Sequence, residues 1–274
     1  MGVASLPALD EPLAVPDEVA EGFRRDGHAL VRGLARPEEA AAYRPHLVEA
    51  AQARNRETRP LEERDTYGRA FLQLTNVWRV TEAARRFVFA PRFAKVAADL
   101  LGVDGVRLYH DQALFKEPGG GPTPWHQDQV YWPLDTRATI TMWMPLVDVP
   151  AEVGSMTFAT GSHRGGDLQA YDISDASDAA VAQLLEERSL SLTTYGALAA
   201  GDATFHAGWM LHRADANPTG AMREVMTVIY YADGARATQP ANRYQEFDLQ
   251  FWLKETGPGE VAAGPRNPRL WPPT

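Results

Sequence analysis

Val106–Lys116 reads VRLYHDQALFK, the run PGGGPTP fills 118–124, and Trp125-His126-Gln127-Asp128 follows at once. The first segment is a short β-type run carrying Val106, Tyr109 and Phe115, and the second is a Gly/Pro turn, so the pair reads as a strand and its exit. The same texture repeats downstream in Ala138–Val147, Ser155–Ala159, Ala203–His206 and Glu224–Tyr231, with turn clusters GSHRGG at 161–166 and DANPTG at 215–220. Asp175–Glu187 is the one clear helix among them. Short strands separated by such turns predict a mainly β fold, a sandwich or jelly roll. Upstream the period changes. Pro16–Asp26, Pro37–Arg54, Thr81–Phe89 and Pro91–Leu101 carry apolar residues at helical spacing, with a short strand expected at His28–Arg32. Pro45 is expected to kink or divide the second of these helices.

The expected organisation is one domain over 1–274. It has a helical region at about 16–101, a β core at about 106–232, and an irregular C-terminal tail around the barrel. Residues 54–69, with five Arg and four acids, read as an exposed loop that either lids the site or is merely solvated.

Composition narrows the function. Lys and Arg total 27 against 36 Asp and Glu, a net charge of −9, which disfavours nucleic acid and anionic lipid as partners. The seven Trp and nine Tyr suit a pocket for a small organic molecule. With no Cys, disulfides, thiolate metal sites and cysteine nucleophiles are excluded. The start, MGVASLPALDEP, has neither a basic region nor an apolar run, and no window is long and apolar enough for a membrane span. The chain therefore reads as a soluble, cytoplasmic protein with no obligate protein partner.

His126 and Asp128 are two apart on an extended segment, so their side chains share one face. A neutral imidazole and a carboxylate there are two adjacent metal ligands. A second His would complete the two-histidine, one-carboxylate triad that leaves neighbouring coordination positions open on non-haem iron. Gly201–His212 offers His206 and His212. Arg223 lies 11 residues beyond His212 with a turn between them, which predicts a hairpin returning the Arg beside the His. Such an Arg would grip a distal carboxylate bidentately. That spacing favours His212 and leaves His206 as a packed or hydrogen-bonded neighbour.

Pro124–Gln129, Gly154-Ser155-Met156, Gly161-Ser162-His163, Gly201–Arg223 and Phe23–His28 together resemble the phytanoyl-CoA dioxygenase family of Fe(II)/2-oxoglutarate oxygenases, over about residues 16–232. Thr160 stands where the family has Pro. The resemblance implies a double-stranded β-helix, a jelly-roll or cupin-like core, flanked by N-terminal α-helices. It implies Fe(II) on His126, Asp128 and His212, 2-oxoglutarate as cosubstrate, and O₂. Arg223 matches the residue that pairs with the far carboxylate of 2-oxoglutarate, while Trp143 and Gln112 match positions beside it. Asp128 stands where related halogenases lack a carboxylate, so the resemblance implies hydroxylation rather than halogenation. The family often has a small hydroxyl residue two positions after the third ligand. Here that is Ala214, with Thr139 and Thr141 as candidate substitutes.

The expected reaction is hydroxylation of an unactivated C–H bond in a small metabolite, releasing succinate and CO₂. Epimerisation, desaturation and cyclisation at the same site stand as alternatives. In other classes, the alternatives are a zinc hydrolase, which would leave Arg223 without a role, and a non-catalytic binding jelly roll. His110 shares a face with Gln112 and is either a pocket residue or a satisfied core histidine. Tyr131, Trp132 and Trp209, with Tyr109, are the aromatic candidates for the substrate wall. Lys116 reads as a solvated strand end, His163 as a turn residue, and His28 and His46 as structural.

Overall fold

The computed structural model describes residues 5–153, 155–168 and 175–273. Met1–Ala4, at the start of the N-terminal segment read above, and Gly154, in one of the quoted motifs, lie outside them.

The N-terminal half is helical as its periodicity predicts. Helix α1 (Asp17–Asp26) stops at Gly27, whose φ of 82° is cheap only for glycine and whose N–H closes on Phe23 O. Strand β1 (His28–Val31) follows. Helix α2 (Pro37–Arg54) opens with a proline, and the Glu39 carboxylate turns back to accept from Arg36 N. Pro45 does not divide it. Pro45 and Ala41, four residues back, are both exposed, so the missing hydrogen bond falls on the solvent side of the helix while Tyr43, Leu47 and Ala50 stay buried. Helices α3 (Thr66–Ala70), α4 (Glu82–Val88) and α5 (Pro91–Leu101) follow, with strand β2 (Leu72–Thr75) between α3 and α4. Residues 54–69 are thus not simply an exposed loop: they include α3 and a 3₁₀ turn, and Arg64 is buried in a pair with Glu117.

Among the described residues, nine further strands are β3 (Val106–Phe115), β4 (Thr123–His126), β5 (Thr139–Pro145), β6 (Met156–Ala159), β7 (Leu192–Thr194), β8 (Ala203–Ala207), β9 (His212–Ala214), β10 (Val225–Ala232) and β11 (Arg269–Trp271). They form two antiparallel sheets. The larger runs β1-β8-β5-β10-β3-β11, with β2 also on β3, and the smaller runs β4-β9-β6-β7. The fold is the curled double-sheet jelly roll expected, with helices flanking. Helix α6 (Asp175–Glu187) backs the small sheet, where Val181 and Leu185 pack on Trp125 and Leu211.

The large sheet alternates except at one bulge. Ile140, Met142, Met144, Phe205, Met226 and Val228 face the helices and pack on residues such as Phe87, Phe93 and Leu47. Thr141, Trp143, His206 and Thr227 face inward. In β3 a bulge breaks the phase, because Ile229 pairs with His110 but Tyr230 pairs with Leu108. Tyr109 is the extra residue, and the bulge turns both Tyr109 and His110 away from the helices.

Two expectations about connectivity are corrected. β9 and β10 are not a hairpin: β9 pairs with β4 and β6, and β10 with β3 and β5. The segment between them crosses from one sheet to the other. The C-terminal tail is not irregular throughout either, because it forms helix α7 (Arg243–Phe251) and strand β11. Asn242 caps α7 by accepting from Tyr244 N and Gln245 N, and the spacing of Tyr244, Phe247 and Phe251 after that cap was a readable helix signal.

Candidate active site

His126 and His212 are directly paired residues of β4 and β9, with ring centroids 4.1 Å apart. Each ring is fixed the same way. Nδ1 donates to the carbonyl two residues earlier, Pro124 O at 2.8 Å and Met210 O at 2.9 Å, which leaves each Nε2 as a lone-pair donor. Both Nε2 atoms face Asp128 Oδ1, at 3.6 and 3.7 Å. Ligand atoms of the three residues lie within 4.8 Å of one another. Burial pushes both imidazoles down to about 4, with His212 adding to the effect on His126 and His206 to that on His212. Burial opposes the Asp128 charge, but His212 and His206 outweigh it and hold the carboxylate well below its usual range. Two neutral imidazoles and one carboxylate form a donor set suited to a divalent first-row metal.

Asp128 is itself positioned. Its Oδ2 accepts from Thr141 Oγ1 at 2.9 Å and meets His206 Nε2 at 3.2 Å. The turn that begins at Asp128 is tied to β8 through Gln129 N donating to Gly208 O at 2.9 Å. A Cβ on Gly208 would lie 2.3 Å from Thr139 Oγ1, so this close approach needs glycine. Of the two threonines expected near the cosubstrate, Thr141 orients Asp128 and Thr139 bonds Gln129.

The group opens into a cavity of about 570 Å³. At its inner end Arg223 is buried, with its guanidinium 5.3 Å from the Trp143 ring, and burial pushes it down to about 9. The backbones of Arg223 and Lys116 exchange two hydrogen bonds of 2.9 Å. Lys116 is not a solvated strand end. It is fully buried, its Nζ donates to Gly121 O, and burial followed by the Arg223 charge lowers it to about 7. Gln112 lines the cavity, and its Oε1 accepts from Gln73 Nε2 at 2.6 Å. Thr123 pairs directly with Ala214 across β4 and β9, and both line the cavity. A hydroxyl is therefore present one strand away from the position where Ala214 lacks one.

The outer part is aromatic. Tyr131, Trp132 and His110 line it, together with Tyr67 and Phe71 from the region after residue 54. Helix α7 adds Tyr244, Phe247 and Asp248, with Trp252 at its C-terminal cap, none of which sequence reasoning selected. Trp209 is elsewhere, beside Arg137, His163 and Arg164, because the turn after β8 carries it to the outside. Tyr109 packs beneath the wall, and its OH donates to Asp248 at 2.7 Å. His163 Nε2 meets Arg24 O, while His28 is buried on Tyr195 and Thr160.

The sequence profile of the phytanoyl-CoA dioxygenase (PhyH) family matches residues 23–225. The chain belongs to that family. A probable alpha-ketoglutarate-dependent hypophosphite dioxygenase of Stutzerimonas stutzeri is 24% identical over 151 residues, 53% of this chain and 52% of that protein. This family member thus spans about half the length of the curated relative it matches. The epimerase SnoN, solved with Fe³⁺, alpha-ketoglutarate and nogalamycin RO, is 29% identical with a TM-score of 0.75, over 93% of this chain and 98% of SnoN. The alpha-ketoglutarate-dependent carbocyclase SnoK has the same fold, with a TM-score of 0.77 at 24% identity, over 94% and 99% of the two chains.

Proposed function

We propose that this family member is an Fe(II)/2-oxoglutarate-dependent oxygenase working as one domain on a small organic molecule. The observation that carries the reading is the meeting of His126, Asp128, His212 and the buried Arg223 on one cavity. Nε2 of His126 and His212 and the Asp128 carboxylate would hold the iron. Arg223 would pair with the distal carboxylate of 2-oxoglutarate, with the Thr123 hydroxyl beside it and Trp143 and Gln112 as walls. When bound, iron, 2-oxoglutarate and O₂ supply an oxidant able to attack an unactivated C–H bond, with release of succinate and CO₂.

The chain's own residues do the rest. The carbonyls of Pro124 and Met210 hold both imidazoles in the metal-binding tautomer, and Thr141 and His206 orient Asp128. The buried Arg223 charge would stabilise a single carboxylate at the inner end and so set which end of the cosubstrate faces the metal. The aromatic wall excludes water and holds the substrate against the open side of the triad. A cytoplasmic setting suits this chemistry, because the reducing environment keeps iron ferrous.

A second reading, oxidative epimerisation at the same site, is supported by the likeness to SnoN. Hydroxylation leaves an oxygen atom from O₂ in the product, whereas epimerisation leaves none.

The test is anaerobic addition of Fe(II) and 2-oxoglutarate. A weak visible charge-transfer band is expected in the wild type and in His206→Ala, and its loss is expected in His212→Ala. Metal binding without any band in the wild type would overturn the oxygenase reading.

A further inference from the structure

The wall contributed by α7 carries a carboxyl group that the oxygenase reading does not use, and burial raises it to about 7. Asp248 is buried yet lines the cavity. Its Oδ2 accepts from Tyr109 OH at 2.7 Å, and Trp252 is its other side-chain partner. Both are neutral donors. Among the described residues, no Lys, Arg or His nitrogen comes within ion-pair distance of it.

A buried carboxylate with only neutral partners costs stability, and a helix anchor does not require one, since an amide oxygen would accept the Tyr109 proton equally well. The setting points to a ligand instead. The β3 bulge brings Tyr109 under Asp248, and it brings His110 against Trp252 with ring centroids 4.5 Å apart. Tyr244, Phe247, Asp248 and Trp252 recur at three- and four-residue steps, so α7 turns one face, of three rings and one acid, to the cavity. Tyr131 meets Tyr244 edge-on at 5.2 Å and continues the aromatic wall. Arg223 lies with Trp143 at the inner end, and His110 is held neutral by burial. An acid ringed by aromatic faces is the chemistry that recognises an organic ammonium.

We propose that the outer cavity binds a substrate with a protonated amine carried on a ring system, the ammonium pairing with the Asp248 carboxylate and the rings lying against the α7 aromatics. The proposal rests on the oxygenase reading only in treating this cavity as the substrate's. An acyl-CoA or another polyanion is disfavoured at this mouth, which Asp65 also lines.

The probes are a matched pair, 9-(aminomethyl)anthracene and 9-(hydroxymethyl)anthracene. They are titrated by fluorescence into the anaerobic protein loaded with Fe(II) and 2-oxoglutarate, and into the metal-free protein. The amine should bind about tenfold tighter than the alcohol, as expected for one charge-assisted pair in a sheltered site. In Asp248→Asn, which keeps an acceptor for Tyr109, the ratio should fall to about one, while the chelate band stays at its wild-type value and the thermal midpoint does not fall. Asp65→Asn should keep the preference. Equal binding of both probes by the wild type, binding of neither, or a preference surviving in Asp248→Asn would each overturn the proposal. Because the band and the preference are read separately, losing the band while the metal-free protein keeps the preference would sink the oxygenase reading alone.

Discussion

Asp111 shows how one buried residue contributes to the pH response of the whole chain. It is fully buried on β3, with Val77 N donating to its Oδ2 at 2.9 Å, and burial raises it to about 7. A carboxyl whose folded pKa is raised binds its proton more tightly in the native state, so stability falls as pH rises from about 4 to about 7. Asp111→Asn removes that loss and keeps an acceptor for Val77. At ~1.36 kcal/mol per pH unit, the variant should gain roughly 2–3 kcal/mol on the wild type between pH 5 and pH 8 in urea denaturation. An unchanged difference at the two pH values would refute the assignment. Lys116 runs the other way: burial lowers its pKa from the usual 10.5 to about 7, so its burial becomes costlier as pH falls through that interval. The alternating pattern marked both residues as strand positions. Their burial depends on loops distant in sequence, and for that reason Lys116 was misread as solvated.

At the scale of elements, the pairing of β4 with β9 builds the site. It sets His126 opposite His212 and Thr123 opposite Ala214. If Thr123 supplies the hydroxyl that Ala214 lacks, Thr123→Val should weaken 2-oxoglutarate binding about fivefold, the size of one hydrogen bond of ~1 kcal/mol. Ala214→Ser in that background should restore it. Titration of the anaerobic chelate band reads both, and failure of the second change to rescue would refute the cross-strand role. The turn at Asp128 offers a second test. Gly208→Ala forces Thr139, Gln129 or Trp132 to move, so Fe(II) affinity should fall about tenfold or more, consistent with loss of outer support for a metal ligand. Equilibrium metal titration decides it.

The whole molecule depends on the helical layer behind the large sheet. Glu39 of α2 and Arg92 of α5 form a buried pair at 2.7 Å, and Arg92 also reaches Glu11 O and Leu34 O. Arg92→Met leaves the Glu39 charge buried beside only the half-exposed Arg36, and should cost about 3–5 kcal/mol in denaturant unfolding. The chelate band of the folded fraction should not change, since neither residue lines the cavity. A band lost in parallel with an intact fold would show that the helical layer shapes the site itself.

Much of this architecture is written locally. The helices α1, α2, α4 and α5, the long strands and the His126–Asp128 spacing follow from periodicity, Gly/Pro punctuation and side-chain alternation, which act within a few residues. The family motifs are equally legible because they are short and lie in a set order. Three features needed the tertiary structure. The His212–Arg223 segment crosses between sheets, because each strand finds better pairing partners far away than its neighbour offers. The three-residue strands carry too little pattern to be seen alone. The α7 wall, with Asp248 on Tyr109, joins residues 139 apart, and only the packed chain brings them within hydrogen-bonding reach. Sequence by itself therefore determined the long elements and the ligand types. Packing decided which distant side chains share the cavity, since burial and contact depend on the whole chain and no local pattern encodes them.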